Sequence, residues 1–222
     1  LPVAADIADL DGVNGPDIVL AIPDEADPQG SPGSALVLLN AGFAGGVWQG
    51  FSSGQDVEVG VFPSDVSLGD RFGDGDLDGD GDIDCVVANR GDGTATILLN
   101  DGSGQFAVHS EPTFNTDPIG VAVGDLNDDG FPDVAVAGSD TDQTGELTVR
   151  LNNGNGGPGW GGLGATRGFD IGDVPTFMDI GDLDNDSCLD ILVSTRGGDG
   201  VDLLDNLGLD LGGNWIGFAP PL

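Results

Sequence analysis

Four short stretches of this chain set carboxylates on alternate residues, a spacing suited to gripping a cation. Asp125, Asn127, Asp129 and Asp133 stand at positions 1, 3, 5 and 9 of one stretch, with Gly130 at position 6. Asp76, Asp78, Asp80 and Asp84 repeat the pattern around Gly81, and Asp182, Asp184, Asp186 and Asp190 repeat it around Ser187. Asp9, Asp11 and Asp17 form a worn copy, in which Val13 takes position 5. Oxygens on alternate residues of a tight loop converge on one point, and glycine permits the bend. Carboxylates packed this closely repel strongly unless a divalent ion sits among them. The expected chemistry is therefore ligation of a hard dication.

Composition agrees. The 222 residues include 39 acidic and 5 basic ones, for a formal net charge of -34. All but Glu25, Glu58, Glu111 and Glu146 of the acidic residues are Asp. A merely solvating acidic surface would use Glu as freely, whereas Asp favours turns and cation ligation. A polyanion of this size repels nucleic acid and anionic lipid. No apolar run is long enough to span a bilayer, so membrane insertion is not expected. Cys85 and Cys188 are too few for a disulfide scaffold and read as small apolar residues. The chain opens at Leu1 rather than Met, which reads as a processed or excised piece.

The elements that must position these loops are strands. Each loop follows a Pro and an alternating apolar run, starting at Pro2, Pro63, Pro118 and Pro175. Each is followed by a short apolar run, beginning at Ile18, Cys85, Val134 and Ile191. A third run then ends near Asn40, Asn100, Asn152 or Asn206, and a Gly-rich turn leads to Phe51, Phe106, Leu163 or Phe218. Aliphatic and β-branched runs bounded by Gly, Pro, Asn and Asp are strands. A unit of roughly 50 residues with about four strands is the mark of a propeller blade. The expectation is an all-β chain of four blades, about 1–55, 56–114, 115–170 and 171–222. The second unit carries extra residues before its loop, so Asp70 and Asp74 compete with Asp76 as its opening ligand; the spacing to Asp84 favours Asp76.

The repeats resemble the FG-GAP and VCBS family, known from integrin α-subunit propellers and secreted bacterial proteins. The resemblance covers nearly the whole chain. The repeated motif Asp-x-(Asp/Asn)-x-(Asp/Asn)-Gly-x-x-Asp carries it, with the tail from Asn100 through Gly102 and Gly104 to Phe106. It implies Ca2+ in the loop between the first two strands of a blade, held by side chains at positions 1, 3, 5 and 9 and the carbonyl at position 7. Those carbonyls belong to Asp82, Phe131 and Cys188. Three sites are expected, and a fourth at Asp9, Asp11 and Asp17 is doubtful because of Val13. Family propellers usually have seven blades. Four blades imply a piece of a larger propeller, a small ring, or completion by another chain.

Rival readings fare less well. An EF-hand loop needs a carboxylate at position 12 and flanking helices, but Val87, Val136 and Val193 stand there between strands. Arg90-Gly91-Asp92 spells an adhesion tripeptide and reads as a turn. Catalysis has little to work with: His109 is the sole histidine, and Lys and Tyr are absent. Trp48, Trp160 and Trp215 serve packing or blade edges at least as well as sugar stacking. The expected function is a non-enzymatic, extracellular or cell-surface module binding a protein or glycan ligand. Its loops around 24–33, 140–145 and 154–162 would offer the contact surface. A structural subunit that assembles with copies of itself, or an accessory domain of a secreted enzyme, are the alternatives.

Overall fold

In the computed structural model of the chain, the described residues are all except 25, 27–29, 70–74, 111, 115–116, 140–143, 153, 155–159, 197–200 and 205–222. They form strands and turns without a helix. Blade 1 runs β1 (Ala4–Ala8), β2 (Asp17–Ile22), β3 (Pro32–Asn40) and β6 (Phe51–Val61), with a small hairpin of β4 (Phe43–Ala44) and β5 (Val47–Trp48) before its outer strand. Blade 2 holds β7 (Pro63–Ser67), β8 (Cys85–Asn89), β9 (Thr94–Asn100) and β10 (Phe106–Ser110). Blade 3 holds β11 (Asp117–Gly124), β12 (Asp133–Ser139), β13 (Gly145–Asn152) and β14 (Leu163–Ile171). Blade 4 shows β15 (Pro175–Gly181), β16 (Asp190–Thr195) and β17 (Val201–Leu204). Every pairing is antiparallel, and apart from β3 with β6, which pair across the β4–β5 hairpin, it joins sequence neighbours, the up-and-down order of a propeller blade. Blade 1 extends to Val61 rather than to residue 55, because β6 stays paired with Pro32 to its end.

Alternation along the strands decides what each blade face meets. Val19, Ala21, Ala35 and Val37 of blade 1 pack with Cys85, Val87 and Leu98 of blade 2. The opposite face of blade 2, with Val86, Ala88 and Ile97, packs on Val121, Val134 and Val136 of blade 3. Ala135, Ala137 and Leu147 then meet Met178, Ile191 and Val193 of blade 4. The core is thus three seams between successive sheets, and the inner blades are buried on both faces. Each seam also takes a leucine from position 2 of the preceding blade's loop: Leu10, Leu77 and Leu126 are almost fully buried.

Polar clasps join the same blades. Asn100 Nδ2 donates to the Leu10 carbonyl at 2.9 Å, and Asn152 Nδ2 donates to the Leu77 carbonyl at 2.8 Å. At the inner edge, the four innermost strands line a cavity of about 300 Å³. Asp6 accepts the Leu68 amide at 2.8 Å, and Asp65 accepts the Val121 amide at 3.0 Å, so each carboxylate bridges to the next blade.

Burial pushes the Asp65 carboxyl up to about 6, with Asp6 and Asp179 adding to the rise against two backbone amides. The folded protein therefore holds this proton more tightly than the unfolded chain. That contribution to stability is largest below the unfolded value and is lost as pH rises through about 6. Asp65→Asn removes the titration. Its unfolding free energy relative to the parent is expected to improve by about 2 kcal/mol between roughly pH 4 and pH 7, measured by urea denaturation in calcium. A constant difference across that range would rule the effect out.

Candidate metal centre

Each loop joins the two innermost strands of its blade, so up-and-down topology brings all four loops to one end of the propeller. Their backbones share one form. Position 4 lies in the left-handed region at Gly12, Gly79, Asp128 and Asn185, and position 6 does so at Asn14, Gly81, Gly130 and Ser187. Gly, Asn and Asp tolerate that conformation; Ser187, at φ 78°, is the strained exception. Two left-handed residues two apart turn the intervening amides inward. The worn first loop keeps this form with Val13 at position 5.

Position 1 collects the inward amides. Asp76 accepts from Gly79, Asp80 and Gly81, Asp125 from Asn127, Asp129 and Gly130, and Asp182 from Asn185, Asp186 and Ser187. Position 3 accepts the amide of position 5, as Asp78, Asn127 and Asp184 do from Asp80, Asp129 and Asp186. Position 5 accepts the amide of position 7: Asp80 from Asp82, Asp129 from Phe131, Asp186 from Cys188.

Position 9 is built differently. Asp133 is fully buried; it accepts the Leu126 amide at 3.0 Å and the Asn152 amide at 2.7 Å. Asp84 takes Leu77 and Asn100 in the same way, and Asp17 takes Leu10 and Asn40. Asp190 accepts from Leu183 at 2.9 Å. This residue ties the start of the loop to the end of the third strand. Sequence spacing marked it as a ligand and missed the strut, because its partner lies a whole hairpin away.

Carboxylate oxygens of positions 1, 3 and 9 come within 4.8 Å of one another in three loops: Asp9, Asp11 and Asp17; Asp76, Asp78 and Asp84; Asp182, Asp184 and Asp190. Position 5 falls outside these close groups. In the third loop Asn127 replaces the second carboxylate, and its Nδ2 donates to Asp129 at 3.0 Å. Asp70 and Asp74 lie outside the described residues.

The donor set suits a hard cation. Burial pushes Asp133 up to about 8, with Asp129 and Asp125 raising it further; Asp84 is pushed up to about 7 by burial, with Asp78 and Asp76 adding to it. Asp17 is raised for the same reasons, beside Asp11 and Asp9. In each case the added charges are carboxylates, so a dication is the natural counter-charge. All donors are oxygens, which favours Ca2+ or Mg2+ over zinc. Cys188 does not alter this: burial and the carboxylates of Asp186 and Asp128 push its thiol up to about 11. Both cysteines are free.

The other singled-out residues have structural work. Asp92 accepts amides from Val61 at 2.8 Å and from Thr94, and the Gly91 amide donates to Val61, which makes the Arg90–Asp92 tripeptide a pinned turn. Trp160 is buried, donates to Asn152 Oδ1 at 2.9 Å and stacks on His109 with centroids 4.9 Å apart. Trp48 donates to Asn40 Oδ1 at 3.0 Å in the same manner but stands half exposed. Trp215 and most of the expected contact loops lie outside the described residues.

Among solved structures, the chain is similar to the crystal structure of the V. cholerae biofilm matrix protein Bap1, with 16% identity and a TM-score of 0.43. The match covers 92% of this chain and 37% of that one, so the chain spans little more than a third of that protein. No curated protein sequence matches it. The family model described as FG-GAP-like repeat matches residues 76–136 and 125–193, each match running from one acidic loop into the strands beyond the next. Those two matches take in more than half of the chain, over the same loops and strands that the structure repeats, and the chain belongs to the FG-GAP-like repeat family.

Proposed function

We propose that this chain is a calcium-stabilised, non-enzymatic module that works outside the cell, binding a protein or glycan partner. One observation carries the reading: buried position-9 carboxylates converge with those of positions 1 and 3, and their charged neighbours are all acidic. Asp76, Asp78, Asp84, Asp182, Asp184 and Asp190 would hold two ions, with Asp80 and Asp186 completing the charge. Asp125, Asn127, Asp129 and Asp133 would hold a third. The family resemblance adds the carbonyls of Asp82, Phe131 and Cys188. Asp9, Asp11 and Asp17 form as close a group as the others and would hold a fourth ion more weakly, because Val13 offers no side-chain oxygen.

The ion's part is structural. It neutralises a carboxylate cluster and fixes the turn between the two inner strands, so that binding energy becomes folding energy. Exposed loops of this kind suit the high micromolar to millimolar calcium found outside cells. His109, the one histidine, is spent on Trp160 at a blade seam, which accords with a non-enzymatic role. Equilibrium dialysis with calcium is the test. Three to four ions per chain are expected, with magnesium taking their place poorly. Fewer than one bound ion per chain at several millimolar calcium would sink the reading.

A further inference from the structure

We propose that the calcium loops do not fill independently: a buried hydrogen-bond relay through Asn100 and Asn152 couples each of the first three loops to the next, so that an ion held in one raises the affinity of its neighbour. This rests on the calcium reading above and adds how the sites act on one another.

The relay runs from atom to atom. In the first loop, the Leu10 amide donates to Asp17 Oδ2 at 2.9 Å, and the Leu10 carbonyl accepts from Asn100 Nδ2 at 2.9 Å. The Asn100 amide donates in turn to Oδ1 of Asp84, the position-9 residue of the second loop, at 2.9 Å. The other oxygen of Asp84 accepts the Leu77 amide at 2.8 Å, and the Leu77 carbonyl accepts from Asn152 Nδ2 at 2.8 Å. The Asn152 amide then donates to Oδ1 of Asp133, the position-9 residue of the third loop, at 2.7 Å. The carboxylates of Asp17, Asp84 and Asp133 are thus joined by a continuous path that crosses both seams between their blades.

Burial and position suit this path to transmit. Every residue on it is at most 4% exposed, so water does not replace a partner that shifts. Both ends of each link belong to a cage. The leucine carbonyl shares its peptide group with the position-3 ligand, Asp11 in the first loop and Asp78 in the second. An asparagine of the next blade therefore fixes where that ligand starts, while its own backbone amide holds the position-9 ligand of its own blade. The side-chain oxygens are committed as well. Asn100 Oδ1 accepts from Gly102 and Gly104, and Asn152 Oδ1 from Gly154 and Trp160, which leaves each side-chain amide one orientation. Asn40 shows that the repeat alone does not force the reach across a seam. Its amide donates to Asp17, but its Nδ2 turns onto the Asn14 and Pro16 carbonyls of its own loop.

Charge by itself gives the opposite sign. An ion in one loop repels a second ion and neutralises carboxylates that would attract it, so loops linked only by charge bind their ions with negative cooperativity. The relay acts through order. An ion that fixes Asp84 also fixes the amides of Leu77 and Asn100, and with them part of the cage on either side.

Proton–nitrogen correlation NMR during a calcium titration reads each loop separately, through the amides of Val13, Gly81 and Gly130, which donate to Asp11, Asp76 and Asp125. Asp80→Ala weakens the second loop at an exposed ligand that accepts the Asp82 amide within the same loop. In that variant the first and third loops are expected to bind calcium about 5-fold more weakly than in the parent. Adding Asp80→Ala to Asn152→Ala should leave the third loop unchanged from Asn152→Ala alone while still weakening the first. Adding it to Asn100→Ala should spare the first and still weaken the third. Circular dichroism in saturating calcium checks that the asparagine variants fold; where one does not, Asp80→Ala in the parent decides. First and third loops that bind as tightly in Asp80→Ala as in the parent, or more tightly, overturn the coupling and leave the calcium reading standing. Transmission that persists without the asparagines overturns it too. A parent chain whose loop amides do not respond to calcium overturns the calcium reading and the coupling together.

Discussion

Asp133→Ala is expected to lower the unfolding free energy by about 3 kcal/mol in metal-free buffer, and by more in calcium. The side chain is fully buried and serves two amides, Leu126 at 3.0 Å and Asn152 at 2.7 Å. Alanine leaves both donors orphaned, and each buried unsatisfied group costs about 1–3 kcal/mol. One term works the other way. Burial raises the carboxyl to about 8, so near neutrality the parent already bears a desolvation penalty that alanine relieves. The two amides are the larger effect, because alanine at this site cannot readmit water to them. Asp129→Ala is the control: its carboxylate is exposed and accepts the Phe131 backbone amide and the Asn127 side-chain amide, both within its own loop. Its cost without metal is about 0.5–1 kcal/mol. Urea denaturation of both variants in excess chelator compares them, and equal costs would refute the strut role of position 9.

Excess chelator is expected to lower the melting temperature of the parent by roughly 10–20 °C. Each site with a dissociation constant of about 0.1 mM contributes about 1.8 kcal/mol at about 2 mM calcium, so three sites contribute about 5 kcal/mol. A chain of this length shifts by about 2–4 °C per kcal/mol. Asp129→Ala and Asp186→Ala should each reproduce about a third of that shift in calcium. The pH dependence has opposite signs in the two states. Without metal, Asp84 and Asp133 bind protons more tightly folded than unfolded, with folded values about 7 and about 8. Stability of the metal-free chain therefore rises as pH falls from about 8 toward 4. In calcium, protons compete with the ion, and stability falls over the same range. Melting curves at several pH values, with and without chelator, should cross. Superimposable curves would show that no ion contributes to the fold.

Much of this protein is written locally. Alternating aliphatic runs bounded by Gly, Pro and Asn mark the strands, and repeated Asp spacing marks the loops between the first two strands of each blade. Both patterns act over a few residues: strand periodicity is two, and the side-chain oxygens of positions 1, 3 and 5 accept loop amides no more than five residues away. Sequence therefore determined the strand order, the four units and the acidic groups. In the first loop Val13 takes a ligand position, and left-handed Gly12 and Asn14 give that loop the same turn as the others.

What the tertiary structure alone decided depends on neighbours distant along the chain. Asp17, Asp84 and Asp133 are struts because the end of a third strand returns to them. Asn100 and Asn152 are clasps because a leucine carbonyl 90 or 75 residues earlier lies across a seam. Trp48 and Trp160 share a local motif and differ only in whether a blade stands beside them. Identical spacing cannot distinguish a covered face from a bare one, since burial is a property of the assembled sheets and not of any single repeat.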